Sequence, residues 1–150
     1  MEAEKKVTKS RSEKKKTKLH GFPSIIWNQV QILNTYQPFQ TDFKQENLSI
    51  FIIATDDRRS AIVHIKNGTI VVEEIKKKDE SYSEIKKRIK ARITTDTATF
   101  LKLAIGKINP VKSVMKGQIK LRRPLKILKF TKIFRYVKAA LKAQKTEQTE

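Results

Sequence analysis

Apolar residues recur at distinct spacings in the first third of the chain, and these spacings predict its elements. Residues 24–35 place apolar side chains three or four positions apart, which predicts an amphipathic helix. Pro38 ends this helix, and two phenylalanines within 39–43 indicate a further short helical turn. The β-branched, apolar run at 48–54 predicts a buried strand.

The next segment carries the clearest local signal in the chain. Apolar and polar residues alternate over 61–66, and a second β-rich run covers 69–75. Asn67-Gly68 lies between the two runs. Both residues of a type I′ turn need positive φ, which Asn and Gly tolerate best. The segment is therefore predicted to be an antiparallel hairpin.

The region after the hairpin admits two interpretations. Alternation over 89–93 indicates a strand with one solvated face, whereas Ile85 and Ile89, four positions apart, favour a helix over 83–90. Asp96 then provides an N-cap for a helix that carries apolar residues up to Ile108.

The last third of the chain predicts two more helices and a fifth strand. Asn109-Pro110 is typical of a helix start, and Gly117 suits the left-handed position that follows a helix. Residues 119–122 alternate as a strand, and a long amphipathic helix follows Pro124. The order of elements predicts an α+β fold, with a five-stranded, mostly antiparallel sheet and helices packed on one face.

Charge separates the ends of the chain from its middle. The net charge is +19, to which residues 1–20 contribute 8 Lys/Arg against 3 Glu and residues 107–150 contribute 13 against 2. Residues 1–21 are predicted to be a disordered basic arm, because they carry too few apolar side chains to fold. Residues 22–143 form the predicted domain, and 144–150 form a polar tail. The positive ends favour polyanionic partners, such as an anionic membrane surface or nucleic acid.

Catalytic and metal-binding chemistry is sparse. The chain has no cysteine, two histidines and four isolated glycines, so thiolate sites and Gly-rich phosphate loops are excluded. His64 lies alone in a strand, and Glu73 and Glu74 point to opposite faces of the next one. We therefore predict a protein that is not an enzyme and that uses no metal or cofactor. No segment is apolar enough to span a bilayer. A cytoplasmic location is expected, with peripheral association with membranes as the alternative.

Residues 93–121 resemble the sterol carrier protein type 2 domain family. The matching elements are Thr95-Asp96 at a helix start, the turn Gly106-Lys107-Ile108-Asn109-Pro110, Met115, and Gly117-Gln118-Ile119-Lys120-Leu121. Over 22–135 the resemblance is one of element order. One departure follows the fifth strand, where the family usually has a glycine and this chain has Arg122-Arg123-Pro124.

The resemblance implies an apolar tunnel that binds a sterol, a fatty acid or another acyl lipid. The residues expected to line it are Phe100, Leu101, Ala104, Ile108, Val111, Met115, Leu125 and Leu128. The basic residues expected to contact a membrane or another polyanion are Lys120, Arg122, Arg123, Lys126, Lys129, Lys132, Arg135 and Lys138. The predicted function is non-enzymatic lipid binding or transfer.

Two other functions fit the sequence. The basic ends, with Phe134 and Tyr136 between cations, are compatible with nucleic-acid binding, although no recognised nucleic-acid motif is present. The other function is that of an accessory domain that docks a protein partner.

Overall fold

The structure is a computed structural model that describes residues 19–149, with all side chains in that range except those of 110, 111, 124, 125 and 146–149. Most of the predicted basic arm therefore lies outside the described residues. In chain order the elements are α1 (Gly21–Val30), a 3₁₀ helix (Gln31–Thr35), α2 (Gln37–Asp42), β1 (Asn47–Ala54), β2 (Arg59–Lys66), β3 (Thr69–Lys76), α3 (Tyr82–Arg88), β4 (Arg92–Thr95), α4 (Thr97–Ala104), α5 (Pro110–Met115), β5 (Lys120–Arg122) and α6 (Pro124–Thr149).

The five strands form one sheet in the order β3-β2-β1-β4-β5. Strands β1 and β4 are parallel, and the other three neighbouring pairs are antiparallel. Helices α4 and α5 connect β4 to β5, which pairs with β4 and forms one edge of the sheet. The predicted α+β class with a five-stranded, mostly antiparallel sheet is confirmed.

The hairpin between β2 and β3 turns at the predicted dipeptide. Asn67 and Gly68 have φ values of 53° and 76°, as a type I′ turn requires. A Cβ on Gly68 would stand 2.5 Å from the backbone oxygen of Gln40, so only glycine fits against α2. The local turn and the packing of α2 therefore select the same residue.

The main core lies between one face of the sheet and the helices α1, α2, α4 and α6. Phe22, Phe100 and Phe130 are completely buried there, and the inward apolar residues of β1 to β4 are buried with them. Leu121 of β5 is half-buried against this core. Phe100 contacts Phe22 and Phe134 edge-to-face, with ring centroids 5.4 and 5.8 Å apart. This chain of aromatic contacts joins α1, α4 and α6 above the sheet.

Helix α3 lies on the opposite face of the sheet, which departs from the prediction that helices pack on one face only. Tyr82 and Ile85 of this helix pack on a second, smaller cluster, formed by Phe51, Ile53, Ile62, Ile75 and Ile89. Strand β1 is central and carries apolar side chains on both faces, so its outer face also needs a cover. Of the two interpretations of 83–90, the helix is the correct one, and the strand begins at Arg92.

Two carboxylates hold the start of α4. Asp96 accepts hydrogen bonds from the backbone N–H of Thr99, at 3.1 Å, and from its hydroxyl. These bonds lower the pKa of Asp96 below its usual value, the hydroxyl of Thr99 being the largest cause. Asp56 accepts the backbone N–H of Thr97 at 3.0 Å. The predicted N-cap is confirmed.

Helix α6 packs its apolar stripe on the core and continues to Thr149, so that residues 144–149, predicted as part of a polar tail, are helical. Its buried residues are Ile127, Phe130, Ile133, Phe134, Val137 and Ala140. Within residues 19–149, no helix combines the length and apolar composition that crossing a membrane demands.

Candidate functional site

The predicted lipid-contacting residues occupy three different environments. Phe100 is part of the main core, Ala104 and Ile108 are half-buried against it, and Leu101 is half-buried. Met115 and Leu128 are exposed, at 82% and 49%. The side chains of Val111 and Leu125 lie outside those described. A cavity shared by these residues stays a prediction.

Exposed apolar residues concentrate in one stretch of the chain, residues 105–128, which we call the exposed apolar segment. Five large apolar side chains are exposed in the described structure, and four of them belong to this segment: Ile105, Val114, Met115 and Leu128. The lysines of the segment are also exposed, at positions 107, 112, 116, 120 and 126. The segment therefore presents apolar and cationic groups to solvent together.

A cleft lies between α3 and the outer face of strands β4 and β5, on the side of the sheet away from the main core. Its cavity volume is about 780 Å³. We call it the basic cleft, and it is lined by Tyr82, Ser83, Lys86, Lys87, Lys90, Arg92, Arg122 and Arg123. No carboxylate is among these residues. A smaller cleft beside it, of about 280 Å³, shares Lys86, Arg92 and Arg122 and adds Thr94, Lys120 and Leu121.

Sheet register brings two arginines of the basic cleft together. Arg92 of β4 and Arg122 of β5 are direct partners across an antiparallel pair, so their side chains emerge on the same face. Like charges in this arrangement destabilise a sheet. None of the six cations that line the cleft forms an ion pair with a carboxylate within residues 19–149. Within the described residues, no carboxylate therefore neutralises their positive charge.

The backbone at the rim of the basic cleft is strained. Arg123 has a φ of 62°, in the left-handed region that non-glycine residues seldom adopt. Its carbonyl accepts the backbone N–H groups of Lys126 and Ile127, at 3.1 and 3.2 Å, which starts α6 immediately after the cleft. The strain follows from turning the chain from an edge strand into a helix at a residue that carries a Cβ.

The predicted polyanion contacts are all exposed, but only some of them share a site. Arg122 and Arg123 line the basic cleft, and Lys120 lines the smaller cleft beside it. Lys129 instead pairs with Glu46, with nitrogen and oxygen 2.6 Å apart. Sequence reasoning missed the four cations that α3, β4 and the connection between them bring to the cleft. The basic run over 86–92 was the signal that pointed to them.

A polar network crosses three strands on the outer face of the sheet. Ser49 Oγ lies 2.8 Å from His64 Nδ1, and His64 Nε2 lies 3.5 Å from a carboxylate oxygen of Glu73. The order serine, histidine, carboxylate is that of a hydrolytic triad, but a nucleophile also needs a substrate cleft and oxyanion donors. The four clefts described at the surface are lined by other residues. We interpret the network as cross-strand hydrogen bonding.

Comparison with known proteins rests on structure, because no family model and no curated protein matches the chain. The UbiJ-SCP2 ubiquinone synthesis protein superposes with a TM-score of 0.56 and 10% identity, over 81% of this chain and 97% of that one. Apo sterol carrier protein 2 from Yarrowia lipolytica superposes with a TM-score of 0.53 and 20% identity, over 79% and 94%. The chain has a sterol carrier protein 2-like fold. The resemblance that residues 93–121 carry is thereby confirmed at the level of the fold.

The same sterol carrier protein 2-like fold also occurs as part of a larger enzyme. The stereoselective inverting sec-alkylsulfatase Pisa1 from Pseudomonas sp. matches with a TM-score of 0.50 and 12% identity over 63% of this chain. The match spans only 14% of the sulfatase chain. Within the described residues there is no cluster of three or more potential metal-ligating side chains. At these identities the likeness concerns the fold, and it assigns neither a substrate nor a reaction.

Proposed function

We propose that the protein binds and transfers a lipid, such as a sterol or a fatty acyl compound, without catalysing a reaction on it. The observation that carries the proposal is the exposure of apolar side chains in the exposed apolar segment, above all Met115. Apolar side chains that are exposed together at a surface are typical of a site that receives an apolar partner. The sterol carrier protein 2-like fold supports a lipid as that partner.

Lipid entry requires the helix face to open, because the core beneath it is filled. Phe100 and Phe134 are almost completely buried and pack edge-to-face. Helix α5 buries one of its described side chains, that of Ser113, and it lies between Gly106 and Gly117. Both glycines have positive φ and open space around them. We expect α5 to swing on these two residues and admit the lipid to the core.

Membrane approach combines the two kinds of side chain in the exposed apolar segment. Apolar groups enter the interface between headgroups and acyl chains, while lysines pair with anionic headgroups. Lys107, Lys112 and Lys116 are exposed near Val114 and Met115 in the sequence. Each cation close to an anionic surface contributes about 1 kcal/mol of binding. The protein is thus suited to collect its lipid from an anionic membrane.

Native mass spectrometry of the purified protein, with organic extraction of what co-purifies, tests lipid binding directly. We expect a bound mass that is extractable as lipid, or uptake of oleate or cholesterol when either is offered. A clean apo mass with no uptake of either compound would overturn the proposal.

The exposed apolar segment is tested by Met115→Ser in a transfer assay with a fluorescent acyl probe and phosphatidylserine-containing vesicles. We expect the transfer rate to fall at least about fivefold, because the variant loses apolar area at the membrane. Leu141→Ser is the matched control, since Leu141 is 47% exposed but lies outside the segment. Equal losses in the two variants would contradict the role of the segment.

A further inference from the structure

The basic cleft concentrates positive charge on the face of the sheet opposite the helices that the lipid proposal requires to open. We propose that this cleft binds a small ligand that carries two or more phosphate groups. The ligand is either a soluble polyphosphorylated compound or the polyphosphorylated headgroup of a lipid. The inference goes beyond lipid binding in the core, because α3 and strands β4 and β5 form the cleft on the opposite face of the sheet.

Uncompensated charge is the first argument. Six cations converge on a cavity of about 780 Å³, and none of them is paired with a carboxylate among the described residues. A volume of this size is typical of sites for small molecules, which occupy about 300–1,000 Å³. The arrangement therefore has the size of a ligand site and the charge of an anion receptor.

The facing arginines are the second argument. Arg92 and Arg122 repel each other across β4 and β5, and Arg123 adds a strained backbone at the same rim. A phosphate group between two guanidinium groups replaces that repulsion with charge-assisted, bidentate hydrogen bonds. The proposed ligand therefore relieves the repulsion between Arg92 and Arg122.

Charge density decides between a polyphosphorylated compound and a nucleic-acid strand. A phosphate monoester carries about −1.5 to −2 at neutral pH. Three such groups match the six cations, and they fit one compact ligand. Each phosphodiester of a nucleic acid carries one charge, so the few nucleotides that fit the cleft would leave half of the cations unmatched. The observations favour the compact ligand.

The wall contributed by α3 offers polar groups of a different kind. Tyr82 is half-buried, and its ring is held edge-on against Phe51 with centroids 5.5 Å apart. Tyr82 and Ser83 both line the cleft, and their hydroxyls can donate to phosphate oxygens. Because the Phe51 contact fixes the ring, Tyr82 can position the ligand with little loss of entropy on binding.

Isothermal titration calorimetry of the full chain with inositol hexakisphosphate, ATP and orthophosphate tests the proposal. We expect affinity to rise in the order orthophosphate, ATP, inositol hexakisphosphate. The variant Arg92→Gln/Arg122→Gln should lose about tenfold or more in affinity for inositol hexakisphosphate, since it removes both facing guanidinium groups. A second variant, Lys86→Gln/Lys87→Gln, removes the two cleft cations that lie on α3 and leaves β4 and β5 unchanged. It should also weaken binding.

The matched control is Lys44→Gln/Lys66→Gln, which lowers the net charge equally at exposed positions outside the cleft. We expect it to change the affinity less than about twofold. Circular dichroism and thermal melting verify that each variant is folded. Losses in the control as large as those in the cleft variants would overturn the proposal, because binding would then follow net charge alone.

Two further probes separate the sources of the ligand. Binding to phosphatidylcholine vesicles that contain phosphatidylinositol bisphosphate, lost in Arg92→Gln/Arg122→Gln, would identify a lipid headgroup. Binding restricted to soluble inositol hexakisphosphate would identify a soluble compound. Either result supports the proposal. Tighter binding of a ten-nucleotide oligothymidylate than of inositol hexakisphosphate would overturn it in favour of nucleic acid, and no binding of any probe would overturn it outright.

Discussion

Replacing Arg122 with threonine removes one of the two cations that face each other across β4 and β5. Direct partners in an antiparallel pair have Cβ atoms about 5 Å apart. Two unit charges about 6 Å apart repel by about 0.7 kcal/mol at the permittivity of water and by about 2.8 kcal/mol at an effective permittivity of about 20. Arg92 is half-buried and Arg122 is exposed, so the lower part of this range applies. We expect Arg122→Thr to raise the free energy of unfolding by about 0.5–1 kcal/mol.

Urea unfolding followed by circular dichroism measures this gain, because urea leaves the electrostatic interaction unscreened. The gain should be largest at about 10 mM salt and should fall at about 500 mM, where the Debye length is only a few ångströms. Lys66→Thr is the control. Lys66 is also an exposed strand cation, but its partners are Asn47 and Thr69, so no like charge faces it.

Both variants lower the net charge by one and introduce threonine into a strand. The difference between their free energies of unfolding therefore measures the Arg92–Arg122 repulsion alone. A gain in Arg122→Thr no larger than in Lys66→Thr, or one that salt does not reduce, would refute the reasoning. If the basic cleft binds inositol hexakisphosphate, adding this compound should stabilise the wild type more than the variant.

Asp96→Ala removes the N-cap of α4 and should lower the free energy of unfolding by about 1 kcal/mol, whereas Asp96→Asn should retain most of it; equal losses would show that the cap is not the cause. Burial pushes the pKa of Asp57 upward, but hydrogen bonds from the backbone of Arg59 and Phe22 and the charge of Arg59 outweigh it and lower the pKa. The stabilisation from Asp57 and Asp96 is therefore present above the unfolded pKa of about 4 and is lost as pH falls through the folded values. Asp57→Asn should flatten the dependence of stability on pH below about 4 in urea titrations, and an unchanged slope would contradict this. Gly68→Ala should destabilise the fold by more than about 2 kcal/mol, because it adds strain at positive φ and a clash with the backbone of α2. A melting temperature equal to that of the wild type would disprove the close approach.

Features with a local physical cause could be predicted from the sequence alone. The hairpin at Asn67-Gly68 follows from the φ angles that these two residues tolerate. The start of α4 follows from the carboxylate of Asp96, which reaches N–H groups within its own turn. The α+β class follows from the order of such elements, and the resemblance over 93–121 pointed to the same five-stranded architecture.

The burial of individual apolar side chains could not be predicted from the sequence. Helical spacing shows which residues share one face of a helix, but it does not show which other elements pack against that face. Phe100 and Met115 belong to the same predicted set, yet the former joins the aromatic core and the latter is exposed to solvent. The segment 83–90 was ambiguous for a related reason. Its apolar spacing suits a strand or a helix, and the uncovered outer face of β1 selects the helix.

The basic cleft was decided by tertiary structure alone. Arg92 and Arg122 are thirty positions apart in the sequence, and each lies in a short strand with ordinary alternation. Only the return of β5 beside β4, in one register, places the two guanidinium groups on the same face opposite α3. Charge counted along a chain gives the total attraction for anions, whereas a binding site depends on the distances between charges, which the fold sets.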